Sequence, residues 1–390
     1  MKLVYVDNNA TTRVDDSVLE EMLPYFKEYY GNPSSLHTFG RQVANKIDTA
    51  RERVANLLGA DTSEIIFTSC GTESNNNAIH CLLEANPKKR HVVTTKVEHP
   101  AVLNVCRYFG KHGYEVTELG VDKDGMIDLD ELRDSIKDST AVVSIMYANN
   151  ETGVVFPIEE IGKVVREKGV PFHCDAVQAI GKIPMNLKNS YIDLLSLSGH
   201  KLHAPKGIGI LYVRKGIRID PLIIGGHQEN SRRSGTENVP YIIGLGKACE
   251  LAQEFIEDER TKVKNLRDKL EKGIKEKIPH VKINGENGNR LPNTSNISFE
   301  YIEGEAVLLL LDMASIAASS GSACTTGSTE PSHVLQAMGA PPFQSRGAIR
   351  FSLSRYNTDD DIDYILEKLP PIIKKLQDLS PIFEDSLTGK

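Results

Sequence analysis

Two short segments carry the residue types that could do chemistry together. One is His173-Cys174-Asp175-Ala176-Val177-Gln178, which follows the apolar run Val170-Pro171-Phe172. The other is Ser198-Gly199-His200-Lys201, which follows Tyr191 to Leu197. Both runs read as buried strands, and strand ends are where an α/β sheet presents reactive groups. One end offers an acid, the other an amine flanked by a hydroxyl and an imidazole. Pyridoxal 5'-phosphate uses that combination: a lysine for the Schiff base, and a carboxylate that keeps the pyridine nitrogen protonated so the ring can act as an electron sink. Taken singly, each segment fits a surface lysine after a core strand, or an aspartate capping a helix, about as well. Taken together they favour the cofactor.

A cradle for the phosphate of the same cofactor is also legible. Glu64 to Ser69 reads as a strand that breaks at Cys70-Gly71 and resumes as a helix from Thr72. A strand, a glycine turn and a helix start make an anion site, because the first N–H groups of a helix have no intrahelical acceptor. Glycine before a threonine cap is also ordinary helix grammar. His99 follows the strand His91 to Thr95. It fits a ring stacked on the pyridine and a helix cap before Pro100 equally well.

With these residues in place, the chain resembles the cysteine desulfurases of the NifS/IscS-like group, class-V aminotransferases among the fold-type I pyridoxal phosphate enzymes. The likeness runs from Tyr5-Val6-Asp7-Asn8-Asn9-Ala10-Thr11-Thr12 to Ile349-Arg350-Phe351-Ser352-Leu353-Ser354. Its most specific stretch is Ser319-Ser320-Gly321-Ser322-Ala323-Cys324-Thr325, continuing to Glu330-Pro331-Ser332-His333. Gly31 to Ser35 and Arg233-Ser234-Gly235-Thr236 are further shared blocks.

The resemblance implies roles. Lys201 carries the Schiff base and serves as general base, Asp175 pairs with the pyridine nitrogen, and Gln178 donates to the phenolic oxygen. His99 stacks on the ring, while Gly71, Thr72, Ser198, Gly199 and His200 surround the phosphate. Thr236 reaches the phosphate of a neighbouring subunit, which implies a homodimer. Asn149, with a place beside the cofactor too, and Arg350 clamp the carboxylate of L-cysteine, a task that suits arginine's planar fork. Cys324 attacks the substrate sulfur and carries it as a persulfide to an acceptor. That acceptor would be an iron–sulfur scaffold protein of the IscU/NifU-like kind, with tRNA thiolation as a further destination. No metal of its own is expected, although Cys324 could transiently ligate a cluster shared with the scaffold.

Composition bounds the alternatives. The 390 residues are 40% hydrophobic and 25% charged, ordinary for a globular enzyme. A net charge of −7, with no basic block to track phosphates, argues against a nucleic-acid partner. No apolar run approaches the roughly 20 residues that span a bilayer. The amino-terminal residues carry no leader pattern, so a cytoplasmic enzyme is expected. The six cysteines form no CxxC pair, which argues against structural zinc and a disulfide framework. Five of them lie in apolar elements and read as packing residues. Cys324 lies among Ser, Gly, Ala and Thr.

From Thr12 to Glu257, helical and strand patterns alternate, which predicts an α/β fold: a large domain (12–257) with a mainly parallel sheet covered by helices. Helices are expected over Asp16 to Tyr29, Leu36 to Leu58, Ala101 to Lys111 and Ile158 to Lys168. A long charged helix, Asp258 to Ile278, then leads to antiparallel strands around Asn296 to Phe299 and Ala348 to Ser352. This texture predicts a smaller α+β domain from 1–11 and 258–390, with the site between the two. Competing readings are an aminotransferase or selenocysteine lyase, and a non-catalytic sulfur-passing scaffold. A plain aminotransferase has no use for Cys324, and a scaffold has none for Lys201 and Asp175.

Overall fold

The computed structural model describes residues 3–320 and 331–380. Val4–Tyr5 forms β1, a short strand parallel to a later segment. The strands Ile65–Thr68 (β2), His91–Thr95 (β3), Glu115–Leu119 (β4), Thr140–Ser144 (β5), Phe172–Asp175 (β6), Leu194–Ser198 (β7) and Gly209–Val213 (β8) build one sheet. Its order is β2-β8-β7-β6-β5-β3-β4. Only β8 runs against its neighbours; the other pairings are parallel. The carboxyl ends of six strands therefore open on the same edge.

Alternation along these strands fixes the two faces. Ile65, Phe67, Val93, Val143, Leu195 and Leu197 pack into one apolar cluster with the helices Thr38–Leu58 and Val239–Glu254. Ile66, Val92, Val142 and Leu194 point the other way, against Gly71–Ala85 and Pro100–Lys111. The sheet is thus buried on both faces, as parallel strands require.

Val281–Ile283 (β9), Thr294–Phe299 (β10), Ile316–Ala317 (β11) and Ala348–Ser352 (β12) follow. β10 lies between β12 and β9, antiparallel to both, and β11 pairs with β1. A separate apolar cluster joins Val4 and Val6 to Leu266, Ile297, Phe351 and Ile365. The amino-terminal residues thus share a core with the carboxyl-terminal third.

Three expectations need correcting. The helix expected over Asp16 to Tyr29 is two, Asp16–Met22 and Pro24–Lys27, because Pro24 has no N–H to continue the first and opens the second. The long charged helix is interrupted by a π-helical turn, Glu259–Val263, before Lys264–Lys277. The strand read from Val170 begins at Phe172, beyond Pro171, and runs on to include Asp175.

Candidate active site

The carboxyl edge of the large sheet bounds a cavity of about 200 Å³. Its wall includes Gly71, Thr72, Asn75, His99, Asp175, Gln178, Ser198, His200 and Lys201. Asp175, Gln178, Ser198, His200 and Lys201 come from strand ends or the turns after them, His99 caps the helix that starts at Pro100, and Gly71, Thr72 and Asn75 come from the start of the helix after β2. Gly71 opens the helix after β2, and a Cβ there would meet Val177 Cγ2 at 3.0 Å and Ser198 Cβ at 3.2 Å. A side chain there would have to push Val177 or Ser198 back by a few tenths of an ångström, so glycine lets the turns close tightly. Cys70 Sγ caps the helix by accepting from Glu73 N at 3.4 Å. The first N–H groups, at Gly71 and Thr72, lie beyond reach of any intrahelical carbonyl.

Asp175 ends β6. Its Oδ2 accepts from Asn75 Nδ2 at 2.7 Å and its Oδ1 from Val177 N at 3.0 Å, so the carboxyl is held in one orientation. Lys201 closes the short 3₁₀ turn Gly199–Lys201 after β7. Its ammonium donates to the carbonyl oxygens of Asn9 and of Ala10, the latter at 2.8 Å. Gln178 Nε2 donates to the same Asn9 carbonyl at 3.1 Å, while its Oε1 is buried without a partner. The amino-terminal loop thus reaches across the cavity and meets both side chains on one oxygen.

His99 caps a helix, one of its two readings, and also faces the cavity. Its Nδ1 accepts from Ala101 N at 3.1 Å, capping the helix that starts at Pro100, and its ring lines the cavity. Burial, seconded by the neighbouring Lys201, holds its pKa below the ordinary imidazole value against the pull of Asp175. Burial likewise lowers His200 to about 4, with Lys201 adding to it. Both rings are neutral near pH 7.

Sequence reasoning missed several groups. Asn75 fixes Asp175, and it lies in the polar first half of its helix, beside the equally buried Ser74 and Asn77, so no local signal singles it out. Asn150 is in the cavity wall. Asn9 joins the loop to β10 through Thr294 Oγ1 at 2.8 Å and accepts from Asn293 Nδ2 at 3.0 Å. Glu98, wholly buried, accepts from Met146 N and Thr95 Oγ1, both at 2.9 Å.

Four candidates lie outside the cavity wall. Gly199 sits behind it, where a Cβ would meet Ile208 Cγ2 at 2.8 Å. Asn149 is buried and occupied: it donates to Val97 O at 3.0 Å and accepts from Glu151 N and Thr152 N, both at 2.9 Å. Arg350, on β12, donates to Asp7 Oδ1 at 2.9 Å and Asn150 O at 3.0 Å, with its Nε buried and unpartnered. Thr236 lines a different depression, with Arg233, Glu229 and Ser69. Cys324 lies outside the described residues.

These residues fit a pyridoxal phosphate. A carboxyl held rigid by an amide, a lysine on the neighbouring strand end and a glycine cradle at a helix start face one cavity, and Asn75 Oδ1 and Gln178 Oε1 are buried there without partners. A sheet of this topology with such a site at its carboxyl edge is that of the aminotransferase class-V family, whose pattern matches residues 4–365. The chain belongs to it.

Within the family it belongs to the NifS-like cysteine desulfurases. It is 60% identical over 385 residues to a cysteine desulfurase of Nostoc sp. (strain PCC 7120), covering 99% of this chain and 96% of that one. It is 58% identical over 379 residues to the cysteine desulfurase NifS of Azotobacter vinelandii, at 97% and 94% coverage. A solved NifS-like protein superposes with a TM-score of 0.90 at 43% identity, covering 96% of this chain and all of that one.

Proposed function

We propose that the chain converts L-cysteine to L-alanine and passes the sulfur onward from Cys324. The observation that carries this reading is the placement of Lys201 and Asp175 in one cavity, with the Gly71 helix start beside them. The substrate follows from the relatives' names and the cysteine in the Ser319 to Thr325 stretch.

Gly71, Thr72, Ser198 and His200 would hold the phosphate, Asp175 the ring nitrogen, and His99 the ring face. When bound, the cofactor supplies the electron sink that stabilises negative charge on the substrate carbon. Lys201, released from the Asn9 and Ala10 carbonyls, moves protons at that carbon. The neutral His99 ring keeps a second positive charge away from the Lys201 amine. Gln178 offers its amide to the ring substituent. Arg350, drawn from Asp7, and Asn149 hold the substrate carboxylate. The Cys324 thiolate attacks the substrate sulfur; the sulfur–carbon bond breaks with its electron pair on carbon, and carbon takes a proton. The products are L-alanine and a persulfide on Cys324.

Thr236, set apart from the cavity, fits a phosphate donor to a second copy, so the active form is a symmetric homodimer. The acceptors are an IscU/NifU-like iron–sulfur scaffold and a tRNA-thiolation carrier, in the cytoplasm. No described helix is long and apolar enough to cross a membrane. Release of alanine and sulfide from L-cysteine, faster with a scaffold protein present, tests the reading. No alanine from cofactor-loaded protein would refute it, and an active monomer in sedimentation would refute the dimer.

A further inference from the structure

Glu98 is a buried titratable group that the reaction above does not use. It directly precedes His99, and its side chain is wholly inside the protein. Oε1 accepts both of its hydrogen bonds, from Thr95 Oγ1 and Met146 N, each at 2.9 Å. Oε2 is buried and has no partner among the described residues. No lysine or arginine pairs with this carboxyl among them either.

The charges facing it are few. Asp175 and Cys174 look toward it from β6 and Cys106 from the helix Pro100–Lys111. His99 is its chain neighbour, and His333 of the helix His333–Ala337 donates Nε2 to the Glu98 backbone carbonyl at 3.0 Å, not to the carboxyl. Burial pushes the Cys106 thiol up to about 12 and the Cys174 thiol well above its ordinary value, so both stay neutral. His99 is neutral as well. Asp175 is therefore the charge Glu98 meets, and it has the same sign.

Two acids in one dry neighbourhood separate by environment. Asp175 has a donor on each oxygen and an open cavity before it. Glu98 has donors on one oxygen and no water-facing side.

We propose that Glu98 is a positioning residue that works as a neutral carboxylic acid, carrying its proton on Oε2 so that Asp175 remains the one negative charge of this pair at the cavity. Its Oε1 also ties the Met146 backbone, in the cavity wall, to the turn that presents His99. Burial raises the Glu98 pKa to about 8, with Asp175 adding to the rise. The acid thus stays protonated at neutral pH and ionises just above it. The role toward Asp175 rests on the function proposed above; the protonation state does not.

Infrared difference spectroscopy of the purified protein reads that state directly. A protonated-carboxyl C=O band is expected at neutral pH that fades as pH passes about 8 and is missing in Glu98→Gln. Its absence from the parent protein overturns the proposal whether or not the chain desulfurates cysteine. In the loaded enzyme, Glu98→Gln mimics the neutral acid. It should keep kcat/KM within about twofold of the parent at neutral pH and lack the cofactor absorbance change expected of the parent as pH passes about 8. Glu98→Ala, which loses the Met146 bond, should fall by about tenfold or more. A folded, loaded Glu98→Gln that loses about tenfold at neutral pH, or that keeps the alkaline transition, also overturns it.

Discussion

The two walls of the cavity are built differently. On the sheet side, Asp175, Ser198 and Lys201 sit at or just after the ends of neighbouring parallel strands. Backbone ladders set their spacing, so local chain order already brings them together. Facing them, the amino-terminal loop that brings Ala10 to the cavity is anchored behind the wall by residues far apart in sequence: Asn9 bonds Thr294, Asp7 pairs with Arg350, and Asn8 Nδ2 donates to Ser352 O at 2.9 Å. Side chains hold this side, and Arg350 behind it is engaged by the Asp7 carboxylate. On the proposed roles, the ladder-held side carries the chemistry and the side-chain-held side presents the substrate. Substitutions on the first should lower kcat, those on the second should raise KM.

The largest expected effect is on the sheet side. Lys201→Ala should remain folded by circular dichroism and lose alanine production by about a thousandfold or more, because in the proposed mechanism one amine both binds cofactor and moves protons. Ordinary turnover in that variant would remove the basis for treating this wall as the chemical one. Nearly as large is Cys324→Ser. It should still load cofactor but form little alanine, and it should show no added mass of about 32 Da after L-cysteine, since hydroxyl oxygen is a poor nucleophile toward sulfur. Replacing Cys81, Cys106, Cys174 or Cys249, all buried, should leave most activity in what folds.

A smaller, different change is expected across the cavity. Arg350→Lys should raise KM about tenfold with kcat nearly kept, because a single ammonium cannot reproduce bidentate carboxylate binding. Steady-state kinetics showing an equal fall in kcat would erase the distinction between the walls. The last expectation concerns stability and leaves neutral-pH turnover untouched. Burial lowers His173 to about 3, and His200 and His203 to about 4. Below the ordinary value of about 6.5 the unfolded chain therefore binds more protons than the folded one, so stability rises with pH across this range. The melting temperature should fall steadily as pH drops from about 6.5 to 4, and a flat profile there would contradict the burial of these rings.

Much of the sheet-side wall could be read before folding. Asp175, Lys201 and Gly71 each follow an apolar run, and strand period marks where such a run ends. Asn75, Glu98 and Asn9 could not be read this way. Asn75 meets Asp175 a hundred positions along, and Asn9 meets Thr294 at a separation of 285. No local pattern encodes a partner at such distance. Element ends also shifted where a tertiary or backbone constraint intervened, as at Pro24, Pro171 and the π turn Glu259–Val263.

Hydrophobic period and glycine placement, both local properties, sufficed to predict the α/β class, and the motif blocks from Tyr5 to Ser354 carried the resemblance to the family. Tertiary structure alone decided which polar groups share a charge environment. Glu98 and Asp175 are 77 positions apart and look alike as residue types, yet one is packed away from water and the other faces a cavity. Ionisation follows solvent access and neighbouring charge, and both exist only after the strands have come together.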